Sequence, residues 1–245
     1  MSLPVAILAG GLAMRLRPST EKIPKSLLPV AGKPFIVHQL ELLRRHSLNK
    51  VVICAGYLGE QLQAALGDGL SFGVNLQYVF DGPTLLGTGG ALRQALPLLG
   101  ETFFVLYGDS YLECDYDAIE QAFGLSGNPG LMTIYRNHDQ WDRSNVLFHG
   151  GRILCYDKEH RSPDMQHMDY GLGVLRARVL EIYPDGRPLD LADVYKDLSN
   201  RDQLAGYEVT QRFYEIGSPA GLEDTRRYLS QKETERDELH SNVPG

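Results

Sequence analysis

Two cations follow the first apolar segment of the chain, in a loop that prolines prevent from becoming helical throughout. Residues 8–35 read LAGGLAMRLRPSTEKIPKSLLPVAGKPF, and the two cations are Arg15 and Lys25. The glycines Gly10 and Gly11 let a backbone approach a ligand closely, and cations neutralise phosphate charge. A surface loop with solvated charges is the simpler interpretation of this pattern, and a cradle for phosphates is the more specific one.

A carboxylate stands at the end of another apolar segment. The segment TFFVLYGDS is predicted to be a strand that ends at Asp109. In a doubly wound sheet, ligands bind outside the carboxyl ends of strands, where the strand order reverses. If the strands follow the order 3-2-1-4, the first and fourth strands are neighbours at that point. The glycine turn and Asp109 then converge on one crevice, a combination typical of a site for a nucleotide with its metal ion.

The elements that would position these residues alternate along the first part of the chain. Apolar segments predict strands at 5–9, 50–55, 75–80, 102–109 and 130–136. Helical spacing predicts helices at 34–46, 59–67, 88–100 and 117–123. This alternation predicts an α/β fold with a doubly wound, mainly parallel, Rossmann-like sheet.

The pattern changes from about residue 137. Short strands flank Gly150 and Gly151, and further short strands are predicted at 170–176, 206–209 and 213–217. Helices are predicted at 177–182, 190–198 and 220–231. Because no repeat or linker interrupts the chain, we expect a single domain over 1–245. It divides into a first part at 1–136 that carries the predicted nucleotide site, an α+β half at 137–232 on the same sheet, and a frayed charged tail at 233–245.

The composition limits the classes of function. The 245 residues carry a net charge of −7, so no basic face for nucleic acid is expected. The cysteines Cys54, Cys114 and Cys155 lie far apart and indicate a reduced, cytoplasmic chain. No apolar run is long enough to span a membrane, and the N-terminus lacks the basic residues of a signal peptide.

Two common nucleotide motifs do not occur in the sequence. No G-x-G-x-x-G follows the first predicted strand, which weighs against dinucleotide binding. No G-x-x-x-x-G-K-[ST] is present, which excludes a P-loop NTPase. The predicted phosphate loop is therefore of another kind.

Residues 8–35 resemble the signature of the sugar-1-phosphate nucleotidyltransferases, also called NDP-sugar pyrophosphorylases. That signature is G-G-x-G-T-R-L, a spacer, and P-K-x-x-x-P-V-x-G-K-P. The resemblance continues in order through LLGTGGALRQAL, YGDS, YDK, DYGLGVL and FYEIGSPAGL. It covers nearly the whole chain, implies the nucleotide-diphospho-sugar transferase fold, and is nearest to the mannose and heptose guanylyltransferases.

The resemblance implies a role for individual residues. The residues implied in catalysis are Arg15, Lys25 and Asp109. Those implied in nucleotide binding are Leu8, Gly10, Gly11, Gly87 and Thr88. Those implied in sugar-phosphate binding are Lys158, Asp169 and Gly171. The implied metal ligands are Asp109 and Glu215, holding Mg²⁺, for which Mn²⁺ can substitute.

The implied reaction transfers a nucleoside monophosphate from an NTP to a sugar 1-phosphate and releases pyrophosphate. The expected substrates are GTP and a mannose- or heptose-type sugar 1-phosphate, with no nucleic-acid or membrane partner, and a homodimer is compatible with the sequence. Two alternatives stay open. One is a binding homologue that has lost turnover, and the other is a transferase whose acceptor is not a sugar, such as phosphocholine.

The sequence departs from the family pattern at four positions. Ala13 and Met14 stand where the family has Gly-Thr, so Ala13 must adopt a negative φ or tolerate strain. Glu215 stands where Asp is usual, and its longer side chain still allows Mg²⁺ ligation. Asp169 stands where Asn is common and adds a negative charge near the sugar. These changes bear on rate and sugar choice more than on the type of reaction.

Overall fold

The computed structural model describes residues 2–141 and 143–241. The strands are β1 (Val5–Leu8), β2 (Pro29–Val30), β3 (Lys33–Pro34), β4 (Lys50–Ala55), β5 (Asn75–Phe80), β6 (Thr102–Tyr107), β7 (Ser110–Tyr111), β8 (Gly130–Arg136), β9 (Val146–His149), β10 (Arg152–Tyr156), β11 (His167–Arg176), β12 (Leu204–Val209) and β13 (Tyr214–Glu215). The helices are α1 (Phe35–Arg45), α2 (Gly59–Leu66), α3 (Gly87–Leu99), α4 (Tyr116–Ser126), α5 (Arg178–Glu181), α6 (Leu191–Asn200) and α7 (Pro219–Ser241).

The main sheet has nine strands in the order β5-β4-β1-β6-β11-β8-β12-β10-β9. β1 pairs in parallel with β4 and with β6, and β4 pairs in parallel with β5. The first four long strands therefore follow the predicted order 3-2-1-4, and the ends of β1 and β6 lie side by side. The second half adds β11 antiparallel to both β6 and β8, and β12 parallel to β8. The predicted α/β sheet, with the α+β half on the same sheet, is confirmed.

Helices cover both faces of the sheet. Along β1, Val5 and Ile7 are buried in one apolar layer, and Ala6 and Leu8 are buried in the other. The first layer contains α1, α2 and α4, and the second contains α3, α5 and α6. A strand that is buried on both faces must be apolar at every position, which explains why VAIL shows no alternation.

A two-stranded ribbon at the edge of the site joins distant parts of the chain. β13 pairs with β7, so Tyr214 lies opposite Tyr111 and Glu215 lies opposite Ser110. The N–H of Ile216 also donates to the carbonyl of Asp109 at 2.9 Å. Through this ribbon, the segment that carries Glu215 returns to the carboxyl end of β6.

The last helix is longer than the sequence indicates. The predicted helix ends near Gln231 with a frayed tail from 233, whereas α7 continues to Ser241. An ion pair of 3.0 Å between Lys33 and Glu233 ties this part of the helix to β3, which the local sequence does not reveal. Residues 242–245 lie outside the described part of the chain. Among the described residues, no helix combines the length and apolar character that crossing a membrane requires.

Candidate active site

A pocket of about 260 Å³ opens at the carboxyl ends of β1 and β6. Seven of the residues implied in catalysis or nucleotide binding line it: Leu8, Gly10, Gly11, Lys25, Gly87, Thr88 and Asp109. The strand order explains this convergence, because β1 and β6 are adjacent and run in the same direction. The predicted crevice between the glycine turn and Asp109 is therefore present.

The end of β6 passes very close to the end of β1. The N–H of Gly108 donates to the carbonyl of Leu8 at 3.0 Å. A Cβ on Gly108 would lie only 2.7 Å from that carbonyl oxygen, so this position requires glycine. The close approach places Asp109, the next residue, over the mouth of the pocket.

The carboxylate of Asp109 meets the predicted phosphate loop directly. Lys25 Nζ lies 2.6 Å from Asp109 Oδ2, and both side chains are partly exposed. Lys25 begins a short 3₁₀ turn, Lys25–Leu27, directly after Pro24. The next residue of the turn, Ser26, is buried, and both Lys25 and Ser26 line the pocket.

Arg15 and Glu215 face the same gap as Asp109. A Cβ built on Gly217 would lie 2.8 Å from Glu215 Oε2, 3.1 Å from Asp109 Oδ2 and 3.3 Å from Arg15 Nη2. The glycine therefore leaves open a small space that two carboxylates and a guanidinium surround. Arg15 reaches it from a 3₁₀ turn, Met14–Leu16, which follows Ala13 in a left-handed conformation.

Two carboxylates around one gap are suited to a hard divalent cation such as Mg²⁺. Asp109 fits this role without rearrangement, because its carboxylate borders the gap. Glu215 fits it only in part, because its carboxylate accepts hydrogen bonds from Gly217 N, Ser218 N and Ser218 Oγ. These donors precede α7, so Glu215 also satisfies the start of that helix. The two carboxylates thus suit Mg²⁺, and Glu215 would serve both as a ligand and as a hydrogen-bond acceptor at the start of α7.

The glycines at the start of α3 make room for protein rather than only for a ligand. Cβ atoms on Gly87, Gly89 and Gly90 would each lie 2.7 or 2.8 Å from atoms of Arg187 or Leu189. The N–H groups of Gly89 and Gly90 donate to the carbonyl of Leu189 at 2.9 and 3.1 Å. The helix start is therefore closed by the segment that leads into α6.

Thr88 links the nucleotide pocket to α6 in the same region. Its hydroxyl donates to Asp190 Oδ1 at 2.9 Å and accepts from the N–H of Leu191 at 2.8 Å. Asp190 is also the N-cap of α6, because the N–H of Ala192 donates to the same oxygen. Thr88 lines the pocket, but these contacts already engage its hydroxyl.

The residues predicted to bind the sugar lie on an irregular stretch of β11. The pairing with β8 shifts register between Asp169 and Gly173. The N–H of Gly171 donates to Asp169 Oδ1 at 3.0 Å, and Gly171 has a φ of 99°. A Cβ on Gly171 would lie 3.2 Å from Ser110 Oγ, so the sugar strand borders the residue that follows Asp109.

Lys158 belongs to the same side of the site. Its Nζ lies 5.9 Å from the centre of the Tyr156 ring. The hydroxyl of Tyr156 donates to Asp169 Oδ2 at 3.5 Å. Burial raises the pKa of Asp169, and the positive charge of Lys158 acts in the opposite direction. Lys158, Asp169 and Gly171 therefore form a second cluster beside the nucleotide pocket.

Three further residues shape the site without having been predicted. Tyr107 lines the pocket, and its buried hydroxyl has no hydrogen-bond partner in the part of the chain that the structure describes. Asp81 also lines it and accepts a hydrogen bond from the N–H of Leu86. Asn145 Oδ1 accepts from the N–H of Asp169 at 3.1 Å. Their contacts are long-range or depend on backbone geometry, so spacing in the sequence gives no signal for them.

Comparison with known proteins agrees with this geometry. Residues 5–143 match the family model described as nucleotidyl transferase. The chain belongs to this family. The match includes the glycine turn, Lys25 and Asp109, which line the pocket described above, and Arg15, which does not line the pocket but borders the gap beside Gly217.

Relatives of this nucleotidyl transferase act on several sugar 1-phosphates. It is 44% identical over 233 residues to the N-acetylmuramate alpha-1-phosphate uridylyltransferase of Neisseria meningitidis, covering 90% of this chain and 95% of that relative. It is 26% identical to the mannose-1-phosphate guanylyltransferase of Mycobacterium tuberculosis, covering 87% of this chain and 60% of that one. The solved structure of HddC from Yersinia pseudotuberculosis aligns with a TM-score of 0.78 at 20% identity, over 93% of this chain and 100% of that one. The last similarity concerns the fold.

Proposed function

We propose that the protein transfers UMP from UTP to the phosphate of a sugar 1-phosphate of the N-acetylmuramate type, releasing pyrophosphate. The observation that carries the reaction is the convergence of Arg15, Lys25 and Asp109 at the mouth of a glycine-lined pocket. The choice of UTP and of an N-acetylmuramate sugar is supported by the relative that is 44% identical over nearly its whole length.

The reaction is an in-line displacement in which the protein mainly positions groups and neutralises charge. The phosphate oxygen of the sugar 1-phosphate forms a bond to the α-phosphorus of the NTP. The bond from that phosphorus to the bridging oxygen breaks, and pyrophosphate leaves. Lys25 stands where it can contact the α-phosphate and the attacking phosphate, and Arg15 can stabilise the charge of the leaving pyrophosphate.

Asp109 and Glu215 would hold the Mg²⁺ that this chemistry requires, and Mn²⁺ can replace it because both are hard cations. When bound, the cation neutralises charge on the two phosphates as they approach. Lys25 engages Asp109 Oδ2, so this oxygen would become available to the cation once Lys25 turned to the substrate phosphates. Glu215 has to leave part of its hydrogen bonding at the start of α7.

The second cluster would orient the sugar 1-phosphate. Lys158 supplies a cation for its phosphate, and Asp169 supplies a carboxylate for sugar hydroxyl groups. The bulged strand holds Asp169 in place, because its Oδ1 accepts from Gly171 and its N–H donates to Asn145. This cluster lies beside Ser110, so the sugar phosphate can reach the same gap as the nucleotide phosphates.

Two other acceptor or nucleotide choices make different predictions. Guanylyl transfer to mannose- or heptose-type sugar 1-phosphates is the choice that the sequence motifs favour. The relative from Mycobacterium tuberculosis, at 26% identity, is a mannose-1-phosphate guanylyltransferase. A phosphocholine acceptor would need an open aromatic cage. The rings of Trp141 and Tyr214 are already covered by a cation of the protein itself, because the guanidinium of Arg212 lies 3.6 and 4.8 Å from their respective centres.

Pyrophosphate release tests the proposal. UTP, GTP and dTTP are each combined with N-acetylmuramate, N-acetylglucosamine, glucose and mannose 1-phosphates in the presence of Mg²⁺. We expect the highest kcat/KM for UTP with N-acetylmuramate 1-phosphate. An Asp109→Asn preparation run in parallel controls for contaminating enzymes. A preference for GTP with mannose 1-phosphate would replace the substrate assignment, and no release with any pair would overturn the reaction.

A further inference from the structure

A second lysine–carboxylate pair lies next to Lys158. Lys196 Nζ of α6 lies 2.6 Å from Asp157 Oδ2, and the Asp157 side chain is largely buried. The other oxygen, Oδ1, accepts from the N–H groups of Glu159 and His160 at 2.8 and 2.9 Å. Both oxygens of Asp157 are therefore engaged, and the turn that carries Lys158 is fixed from either side.

Lys196 and Lys158 have different surroundings. Lys196 is paired with Asp157, whereas Lys158 has no carboxylate oxygen within 4.0 Å among the described residues. Lys158 faces the Tyr156 ring and interacts electrostatically with Asp169 at longer range. Lys158 is thus the exposed cation that remains available to an anionic ligand, although Asp157 directly precedes it in the chain.

The groups around Asp157 keep its carboxylate negatively charged. Hydrogen bonds from the N–H of His160, from Lys196 and from the N–H of Glu159 hold the pKa of Asp157 well below its usual range. The imidazole Nδ1 of His160 also lies 3.7 Å from Asp157 Oδ2. The carboxylate stays ionised, so loss of Lys196 would leave a negative charge without its lysine partner on the residue directly before Lys158.

We propose that Lys196 is a positioning residue for the sugar 1-phosphate. By neutralising Asp157, it keeps that carboxylate from attracting Lys158 and from repelling the phosphate that Lys158 binds. The inference rests on the proposed function, because it assigns the phosphate of the sugar substrate to Lys158. It adds a residue of α6 to the sugar side of the site, and that residue touches neither the substrate nor the reacting atoms.

The test separates this charge effect from a loss of stability. Lys196→Met keeps the length and apolar stem of the side chain and removes the charge. We expect KM for the sugar 1-phosphate to rise about fivefold or more, as electrostatic complementarity to an anion is lost, while KM for UTP and kcat change less than twofold. Lys196→Arg should restore the wild-type KM. Arg152→Met serves as the matched control, because Arg152 on β10 forms an exposed ion pair with Asp202.

A double variant makes the outcome decisive. In Asp157→Asn with Lys196→Met, the unbalanced carboxylate is gone, but Asn Oδ1 can still accept from the backbone of the turn. We expect KM for the sugar 1-phosphate to return to within about twofold of wild type, although the ion pair is missing. A purely structural pair would leave the double variant as weak as Lys196→Met, which overturns the inference. Wild-type turnover with an unchanged KM in Lys196→Met would also overturn it while leaving the proposed function intact. A wild-type protein that turns over no sugar 1-phosphate overturns both.

Discussion

Lys25 and Asp109 lie 84 positions apart in the chain, yet the ammonium of one contacts the carboxylate of the other at 2.6 Å. The contact exists because β1 and β6 are neighbours and Gly108 lets β6 end against β1. In the protein without substrate, Lys25 therefore balances the charge of Asp109. In the proposed reaction, phosphates in the pocket would compete with Asp109 for the lysine, and a cation would compete with the lysine for Asp109.

The first prediction concerns Lys25→Met. We expect kcat/KM to fall about 10²-fold or more, the size of the loss when one preorganised charged donor is removed from a transition state. Stability should change little, because partly exposed ion pairs contribute little to folding. Lys22→Met, on the exposed part of the same loop, is the control and should behave like wild type. Turnover within a few-fold of wild type in Lys25→Met would remove the lysine from the reaction.

The second prediction separates the two carboxylates. Asp109→Asn and Glu215→Gln should both raise the half-saturating Mg²⁺ concentration. The increase should be larger for Asp109→Asn, because Asp109 has a short side chain just after a strand and its carboxylate position is therefore more fixed. Glu215→Gln should also reduce the free energy of unfolding by about 1 kcal/mol, because it weakens hydrogen bonds at the start of α7. This loss of stability appears as a lower Tm. Mg²⁺ titrations of turnover, together with thermal melts, measure both effects. An unchanged Mg²⁺ requirement with a lowered Tm would make Glu215 only a cap of the helix.

The sequence predicts the scaffold of this site well because its signals are local. The segments KVVICA, NLQYVF and GLMTIYR coincide with β4, β5 and β8, since apolar runs bounded by turn residues define buried strands. The spacing also predicts Lys25, Asp109 and the glycine turn as one crevice. Once the strand order 3-2-1-4 holds, those residues must meet at the end of the sheet.

What the sequence does not predict depends on contacts between distant segments. The sequence predicts a strand at 213–217, but it does not predict the pairing of β13 with β7 that brings Glu215 to Asp109, because each of these strands has only two residues. The glycines from Gly87 to Gly90 resemble a nucleotide motif, but their missing side chains also admit Arg187 and Leu189. The part of α7 beyond the predicted helix contacts β3 through the Lys33–Glu233 ion pair, which joins residues 200 positions apart.

The third prediction concerns the strained alanine of the phosphate loop. The sequence requires Ala13 to have a negative φ or to tolerate strain, and the observed φ is 47°. Ala13→Gly should therefore raise stability by about 1 kcal/mol, seen as a higher Tm, because glycine adopts this conformation without a Cβ clash. Ala31→Gly, at a φ of 44° away from the pocket, is the matched control and should stabilise by a similar amount. A lower Tm in Ala13→Gly would mean that the alanine carries no strain.

The last prediction concerns the gap that Arg15, Asp109 and Glu215 surround. A methyl group at position 217 would stand 2.8 Å from Glu215 Oε2 and 3.1 Å from Asp109 Oδ2, so Gly217→Ala must fill the gap or push the carboxylates apart. The φ of Gly217 lies outside the left-handed region, so alanine adds no backbone strain there. We therefore expect kcat/KM to fall about 10²-fold. Tm should fall by no more than in Glu215→Gln, because the displaced carboxylate accepts the hydrogen bonds at the start of α7.

The matched control is Gly124→Ala in α4, where a Cβ meets nothing within 4 Å. It should leave activity unchanged and raise Tm, since alanine is the better helix former by about 1 kcal/mol. The Mg²⁺ requirement of Gly217→Ala should rise as well, because the two carboxylates can no longer approach one cation. If Gly217→Ala keeps both its kcat/KM and its Mg²⁺ requirement, the gap holds no reacting group. The reacting phosphates would then have to lie in the pocket at the ends of β1 and β6, which Asp109 also lines.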